Sequence, residues 1–268
     1  MLELNKLYNE DCLEGMKRIP DKSIDMVLCD LPYGTTACKW DSIIDLNSMW
    51  KELNRIVKPN GAMVFTASQP FTTTLIASNI KQFRVEWIYE KAVGSNFATV
   101  KYQPMKEHES VLVFSQKTPV NYYPIMQKRK GKGLERVLNP YHTDSTKGNE
   151  CVGGMKRTVT KGEYSKLRNP SSVQYFNNRA KGDRGLHPTQ KPVALCEYFI
   201  KTYTKEGETV LDNCIGSGTT AIACINTNRN YIGFEIDPDY YEAALERIRI
   251  HMQQQTIFEL RKKEKEVI

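Results

Sequence analysis

The sequence predicts an open α/β fold, a mostly parallel sheet with helices on both faces. Short apolar runs alternate with helical periodicities through residues 5–115 and again through 187–250, the pattern of βα units that feed a parallel sheet. Two of the runs end in unusual turns: Asp30-Leu31-Pro32-Tyr33-Gly34 follows Ile24 to Cys29, and Asp212-Asn213-Cys214-Ile215-Gly216-Ser217-Gly218-Thr219-Thr220 follows Thr209 to Leu211. Ligands of open α/β sheets bind outside the carboxyl ends of the strands, so two such ends imply two neighbouring sites. Between Gln116 and Leu186 the periodicity disappears in a stretch rich in Gly, Asn, Lys, Arg and Tyr. That is too long for a plain loop in a compact domain, and it predicts an inserted recognition module or a segment ordered by nucleic acid.

The elements follow in order. Leu7 to Asn9 reads as a short strand and Cys12 to Arg18 as a helical turn. Ile24 to Cys29 is a buried strand of the parallel type. Met49 to Val57 carries Met49, Leu53, Ile56 and Val57 on one helical face, Lys58-Pro59-Asn60-Gly61 stops it, and Ala62 to Thr66 is the next strand. A helix over Phe71 to Asn79 and strands over Val85 to Tyr89 and Ser110 to Phe114 complete the first part. Pro192 suits the first turn of a helix whose face is Val193, Cys196, Ile200 and Tyr203, with Gly207 just past its end. Thr209 to Leu211 leads into the glycine turn, and a helix runs from Thr219 to about Ile225. Tyr231 to Phe234 is a strand ending at Glu235. Asp237 caps a last helix with Tyr241, Ala244, Leu245 and Ile248 inward, and the charged tail 251–268 projects or packs as further helix.

A chain of 268 residues at 40% hydrophobic content buries a sizeable core. No apolar run approaches the roughly 18 residues of a membrane span, and the acidic N-terminus lacks the layout of a signal peptide. The seven cysteines form no C-x-x-C pair, so a reduced cytoplasmic protein with core thiols, without disulfides or a metal, is expected. The net charge of +7 is unevenly spread. Ser115 to Gly185 holds 15 Lys/Arg against 5 Asp/Glu, a balance of +10, and the rest of the chain 23 against 26, or −3. So local an excess is a footprint for a polyanion, most simply nucleic acid, although a solvated lysine-rich surface gives the same count.

The glycine turn is neither a P-loop, since no Lys follows its second Gly, nor a Gly-x-Gly-x-x-Gly fingerprint, since position 221 is Ala. Its glycines let backbone approach a ligand, and alone it would pass for a structural turn. Glu235 ends the next strand, 23 residues after Asp212, where a carboxylate accepts both hydroxyls of a ribose. Together they describe a nucleoside cofactor site without a phosphate grip. Asp30-Leu31-Pro32-Tyr33 offers different chemistry. An exocyclic amine on a base is a poor nucleophile because its lone pair is delocalised into the ring. A carboxylate and a backbone carbonyl that both accept its N–H protons draw the nitrogen towards tetrahedral geometry, Pro32 fixes the turn that aims the carbonyl, and Tyr33 gives a flipped base a face to stack on.

At these residues the chain resembles the S-adenosylmethionine-dependent DNA amino-methyltransferases of the circularly permuted β class, over residues 5–115 and 186–250. The resemblance implies a Rossmann-like methyltransferase domain with a seven-stranded sheet. Residues 1–115 would be its catalytic part, 116–186 the basic target-recognition insert and 187–250 the cofactor-binding part. It implies that Asp30, Leu31, Pro32 and Tyr33 are catalytic, although Leu31 stands where the family usually has Pro. In Asn9-Glu10-Asp11-Cys12-Leu13, Asp11 and Cys12 would meet the cofactor, Asp11 at the adenine amino group; Asp11 also reads as a helix N-cap. In His187-Pro188-Thr189-Gln190-Lys191-Pro192, Thr189 and Lys191 would hold the methionine carboxylate and His187 shape the pocket. Asp212 would lie near the methionine amine, Asn213, Gly216, Ser217, Gly218 and Thr219 against the cofactor, and Glu235 on the ribose. Thr35 and Trp40 belong to a segment that would close over the flipped base, Trp40 equally reading as core. His108-Glu109 matches a family block without an assigned role. In the insert, Lys128, Arg129 and Lys130 are expected on DNA phosphates and Asn177, Asn178 and Arg179 on bases.

The resemblance thus implies transfer of a methyl group from S-adenosylmethionine to adenine N6 of double-stranded DNA. It admits a cognate restriction enzyme and a homodimer as partners, and a place at the nucleoid through DNA. Two alternatives stand beside it: a cytosine-N4 methyltransferase, which typically has Ser in place of Asp30, and a catalytically silent nucleic-acid-binding module. The absence of a Pro-Cys nucleophile disfavours C5 methylation of cytosine.

Overall fold

In the computed structural model the chain describes residues 2–34, 43–131, 133–135, 166–179 and 190–266, with side chains to residue 256 in the last segment. The described residues form, in order, β1 (Lys6–Asn9), α1 (Cys12–Met16), β2 (Ile24–Asp30), α2 (Leu46–Ile56), β3 (Val57–Ala67), α3 (Phe71–Ser78), β4 (Phe83–Ser95), β5 (Lys106–Phe114), β6 (Gln127–Lys128), β7 (Leu167–Arg168), β8 (Val173–Phe176), α4 (Val193–Tyr203), β9 (Thr209–Asp212), α5 (Thr219–Asn226), β10 (Asn230–Glu235) and α6 (Pro238–Glu266). The chain divides into two units, Met1–Tyr123 with Ser172–Ile268, and Pro124–Ser171. The smaller unit contains the antiparallel pair β6–β7.

The larger unit is the expected α/β fold, on a sheet in the order β1-β10-β9-β2-β3-β5-β4-β8. β1, β10, β9, β2 and β3 run parallel, β5 is antiparallel to both its neighbours, and β8 is parallel to β4. It has eight strands where seven were expected. The eighth, β8, lies in the stretch read as aperiodic, because one four-residue strand has no period to detect.

Strand alternation sorts the core into two layers. Met26, Leu28, Val64, Val111 and Val113 face Leu195, Phe199 and Ile222 of α4 and α5. Val27, Cys29, Met63, Phe65 and Leu112 face Trp50, Leu53, Ile56 and Leu75 of α2 and α3. The polar exception inside β2 is Asp25. Its carboxylate accepts from Thr209 N at 3.0 Å and pairs with Lys58, tying β2 to β9 and β3.

The helix ends follow capping chemistry. Asp45 accepts from Ser48 N at 3.1 Å to start α2, and Val57 is already extended. The stop thus falls before the Lys58-Pro59 pair, because a residue preceding proline is pushed out of the helical region. The charged tail continues α6 to Glu266. Among the described residues no helix is long and apolar enough to cross a membrane. Cys12, Cys29, Cys196, Cys214 and Cys224 are free thiols, and no group of three metal-ligating side chains occurs among the described residues.

Candidate active site

β9 and β2 are adjacent, and the chain winds outward from them in opposite directions, which makes their carboxyl ends the switch point where such sheets bind ligands. A cavity of about 470 Å³ opens there, and Asp11, Cys12, Asp30, Leu31, Pro32, Tyr33, Lys191, Asp212, Asn213, Gly216, Ser217, Thr219 and Glu235 all line it. Residues from five segments that the sequence singled out separately are therefore walls of one space. Gly218 adopts φ +78° and packs its backbone under Ala244 and Ile248 of α6. Thr35, Trp40, His187 and Thr189 lie outside the described residues.

One half of the cavity is built by the glycine turn. Glu235 Oε2 accepts from Gly216 N and Oε1 from Asp237 N, each at 2.9 Å, and burial raises the carboxyl above its ordinary range. Gly216 has φ +50°, and a Cβ there would meet no atom within 4 Å. Asp212 is buried, accepts from Cys214 N at 3.0 Å, and is pushed up to about 7, chiefly by burial. Asn213 Oδ1 and Gln190 Oε1 are buried acceptors without a hydrogen-bond partner. Asp11 is the N-cap of α1, accepting from Leu13 N at 2.7 Å, and reaches the cavity as well. Arg247, which no sequence motif marks, donates from Nη1 to Ser217 O at 3.0 Å and Thr219 Oγ1 at 2.9 Å and fixes the turn from α6.

The other half is built around Asp30. Tyr33 OH donates to its Oδ1 at 2.7 Å, Thr66 Oγ1 donates to the same oxygen, and Lys191 Nζ donates to Oδ2 at 2.6 Å. The Tyr33 ring stacks on Phe71 with centroids 5.3 Å apart and planes at 24°. Burial drives the Tyr33 hydroxyl well above its usual value, with Asp30 adding to the effect. Lys191 also lies 3.3 Å from Glu109 Oε2, and Glu109 pairs with Lys91. Burial opposes the charge on Lys191, but Asp30 and Glu109 outweigh it and hold the amine well above its ordinary value. Burial likewise opposes the charge on Glu109, and Lys191 and Lys91 keep it below the usual carboxylate range. Lys191 was expected on a methionine carboxylate; its partners here are the side chains of Asp30, at the end of β2, and Glu109 of β5.

Of the residues expected to read DNA, none of Asn177, Asn178 and Arg179 lines this cavity. Lys128, Arg129 and Lys130 belong to the smaller unit, where Arg129 N donates to Lys166 O at 2.9 Å. Asn178 spends both ends of its amide on Val93, accepting from N at 3.1 Å and donating to O at 3.0 Å, so it extends the β4–β8 pairing. Asn177 Oδ1 accepts from Arg179 N at 2.8 Å.

A family model described as DNA methylase, the N6/N4 methyltransferases, matches residues 24–246. The Type II methyltransferase M.HpaI of Haemophilus parainfluenzae is 27% identical over 260 residues, covering 91% of this chain and 74% of that protein. The DNA adenine methyltransferase YhdJ of Escherichia coli is 28% identical over 265 residues, with 92% and 84% covered. Among solved structures, the PvuII DNA methyltransferase, described as cytosine-N4-specific, aligns with a TM-score of 0.63 at 18% identity over 90% of this chain and 85% of that one. The M1.HpyAVI–SAM complex aligns with a TM-score of 0.59 at 21% identity over 91% and 98%. At these identities the two structures speak to the fold.

Proposed function

The chain belongs to the DNA methylase family of N6 and N4 amino-methyltransferases, and from that premise we propose that it methylates the N6 amino group of a flipped-out adenine in double-stranded DNA, with S-adenosylmethionine as donor. The observation that carries the adenine reading is the carboxylate of Asp30, at a position where the cytosine-N4 enzymes typically have Ser. It lines the cavity with its plane fixed by Tyr33, Thr66 and Lys191. Asp30 and the Leu31 carbonyl accept the N–H protons of the target amine and localise its lone pair, and the Tyr33 ring receives the extruded base.

The residues fit S-adenosylmethionine. The cavity is within the size class of small-molecule sites. Gly216 leaves open the space a side chain would fill, and Asn213 Oδ1 and Gln190 Oε1 are acceptors in need of donors. Bound there, S-adenosylmethionine supplies a methyl group on a positively charged sulfur. Glu235 would accept the ribose hydroxyls, Asp11 the adenine amine and Asp212 the methionine amine. Cys12, Asn213, Gly216, Ser217 and Thr219 would shape the walls, while Gly218, expected against the cofactor, faces α6 instead. The pairing of Lys191 with Asp30 favours a place at the reacting amine, which leaves Thr189 for the methionine carboxylate, with His187 shaping the pocket. Thr35 and Trp40 would close over the base, and the basic cluster 128–130 would hold phosphates.

Incubating unmodified plasmid DNA with the protein and S-adenosylmethionine, then digesting to nucleosides for mass spectrometry, tests this reading. N6-methyldeoxyadenosine is expected. N4-methyldeoxycytidine would replace it with the cytosine alternative. Cofactor-independent DNA binding without any methylated nucleoside would leave a silent binding module.

A further inference from the structure

Lys91, Glu109, Lys191 and Asp30 form a row of alternating charge beneath the amine-binding end of the cavity, and only the last two line it. We propose that Glu109 is a positioning residue for methyl transfer: it fixes the Lys191 ammonium where that group holds Asp30 Oδ2, and Lys91 fixes Glu109 in turn. The inference rests on the amino-methyltransferase reading of the same site.

Strand alternation places the row. Trp87 and Tyr89 of β4, and Val111 and Val113 of β5, face the same core layer. Lys91 and Glu109 continue those faces by two residues each, and Tyr89 pairs directly with Glu109. β5 overshoots β3, whose last partner is Ser110 opposite Ala67. The two charged side chains therefore emerge where the apolar layer ends, at the carboxyl edge of the sheet. They are deeply buried, at 9% side-chain exposure for Lys91 and 13% for Glu109, and Lys191 is at 11%. Buried charges are costly unless paired, and this row balances two cations against two carboxylates.

The geometry gives the balance a purpose beyond folding. Oδ1 of Asp30 is held by Tyr33 and Thr66 and Oδ2 by Lys191, so its plane is set before a base arrives. The Lys191 ammonium is held between Oδ2 at 2.6 Å and Glu109 Oε2 at 3.3 Å. In Glu109→Gln the attraction on the far side is lost while Lys91 remains. The like charge then presses Lys191 onto Asp30, where it competes with the target amine for the carboxylate oxygens. Misplacing a reacting group by an ångström or so is enough to cost on the order of 10²-fold in rate. The titratable groups facing Lys191 are Asp30 and Tyr33 from β2 and the turn after it, Lys91 from β4, Lys106 and Glu109 from β5, and Cys196 from α4. Of these, Asp30, Glu109 and Tyr33 favour its charge, so losing Glu109 also brings its deprotonation to lower pH.

The test uses the full chain, plasmid DNA and radiolabelled S-adenosylmethionine, on wild type, Glu109→Gln and Lys91→Met/Glu109→Gln. Glu109→Gln is expected to lower kcat about 10- to 100-fold and to keep cofactor Kd within about twofold, because Glu109 is not part of the cavity wall. The double variant, its row again neutral, is expected to fold and to recover at least about fivefold of that loss without reaching wild type. A Glu109→Gln kcat within twofold of wild type overturns the proposal. So does a double variant at wild-type kcat or no better than the single one, or a loss of kcat matched by an equal loss of cofactor affinity. If wild type itself neither binds the cofactor nor methylates DNA, the functional reading has failed instead.

Discussion

On the proposed reading Asp212 binds cofactor at a cost in stability, and Asp212→Asn measures that cost. Its carboxyl titrates near 7 in the folded protein, mainly because it is buried, against about 3.9 in an unfolded chain. Between those values the folded state keeps a proton that the unfolded state has lost. Stability therefore falls as pH rises through this window, by about 1.4 kcal/mol per unit, and the whole penalty is present above the folded value. Three units correspond to an upper bound of about 4 kcal/mol, which relaxation of a real site reduces to roughly half. Asparagine keeps an oxygen for the Cys214 N–H and carries no titrating charge. Asp212→Asn should therefore be about 2 kcal/mol more stable than wild type at pH 8, indistinguishable from it at pH 4, and flatter in between, as read by urea denaturation at each pH. It should also bind S-adenosylmethionine more weakly, since the methionine ammonium loses its counter-charge, and the wild type should release protons on binding near pH 7. A variant less stable than wild type at pH 8, with an unchanged pH slope, would refute the reasoning.

Asp30→Ala should abolish methyl transfer, a loss of at least about 10²–10⁴, while a calorimetric titration shows cofactor affinity largely intact. Tyr33→Ala should be severe and Tyr33→Phe milder, since phenylalanine keeps the ring on Phe71 and gives up the hydroxyl's contacts with Asp30 and Thr66; steady-state kinetics on plasmid DNA decide. Glu235→Ala should weaken S-adenosylmethionine binding by roughly 2–4 kcal/mol. Gly216→Val should be comparably damaging, because valine resists φ +50° and would fill the open side of the turn; unchanged calorimetric affinity in both would place the cofactor elsewhere. Neutralising Lys128, Arg129 and Lys130 together should weaken binding to all DNA sequences and flatten the salt dependence by up to about 3 units of slope, with cofactor affinity unchanged; a wild-type slope would make the cluster a solvated surface.

What the sequence made legible was local. Asp30 and Asp212 end strands, Glu235 ends the next one, and each is followed by a turn whose residues have few other uses, so strand-then-turn grammar was enough to place them at one edge of the sheet. What it hid was non-local or without period. Lys191 and Asp30 are 161 positions apart, and no spacing rule joins them. Lys91 and Glu109 look like ordinary charges near strand ends until the two strands are paired and their inward faces are counted from Tyr89 and Val111; that parity was the available signal. Asn178 reads in sequence as a base-contacting amide, whereas its bonds to Val93 extend a backbone ladder. β8 escaped notice because a strand of four residues, Val173–Phe176, takes its stability from its β4 neighbour rather than from its own pattern.

Transfer of a methyl group to adenine in DNA by the Asp30 site is read by modification-sensitive sequencing of plasmid DNA from cells expressing the wild type or Asp30→Ala in an otherwise unmodified background. N6-methyladenine is expected at one recurring sequence with the wild type and none with Asp30→Ala. N4-methylcytosine in its place, no modification at all, or equal modification with both proteins would contradict it.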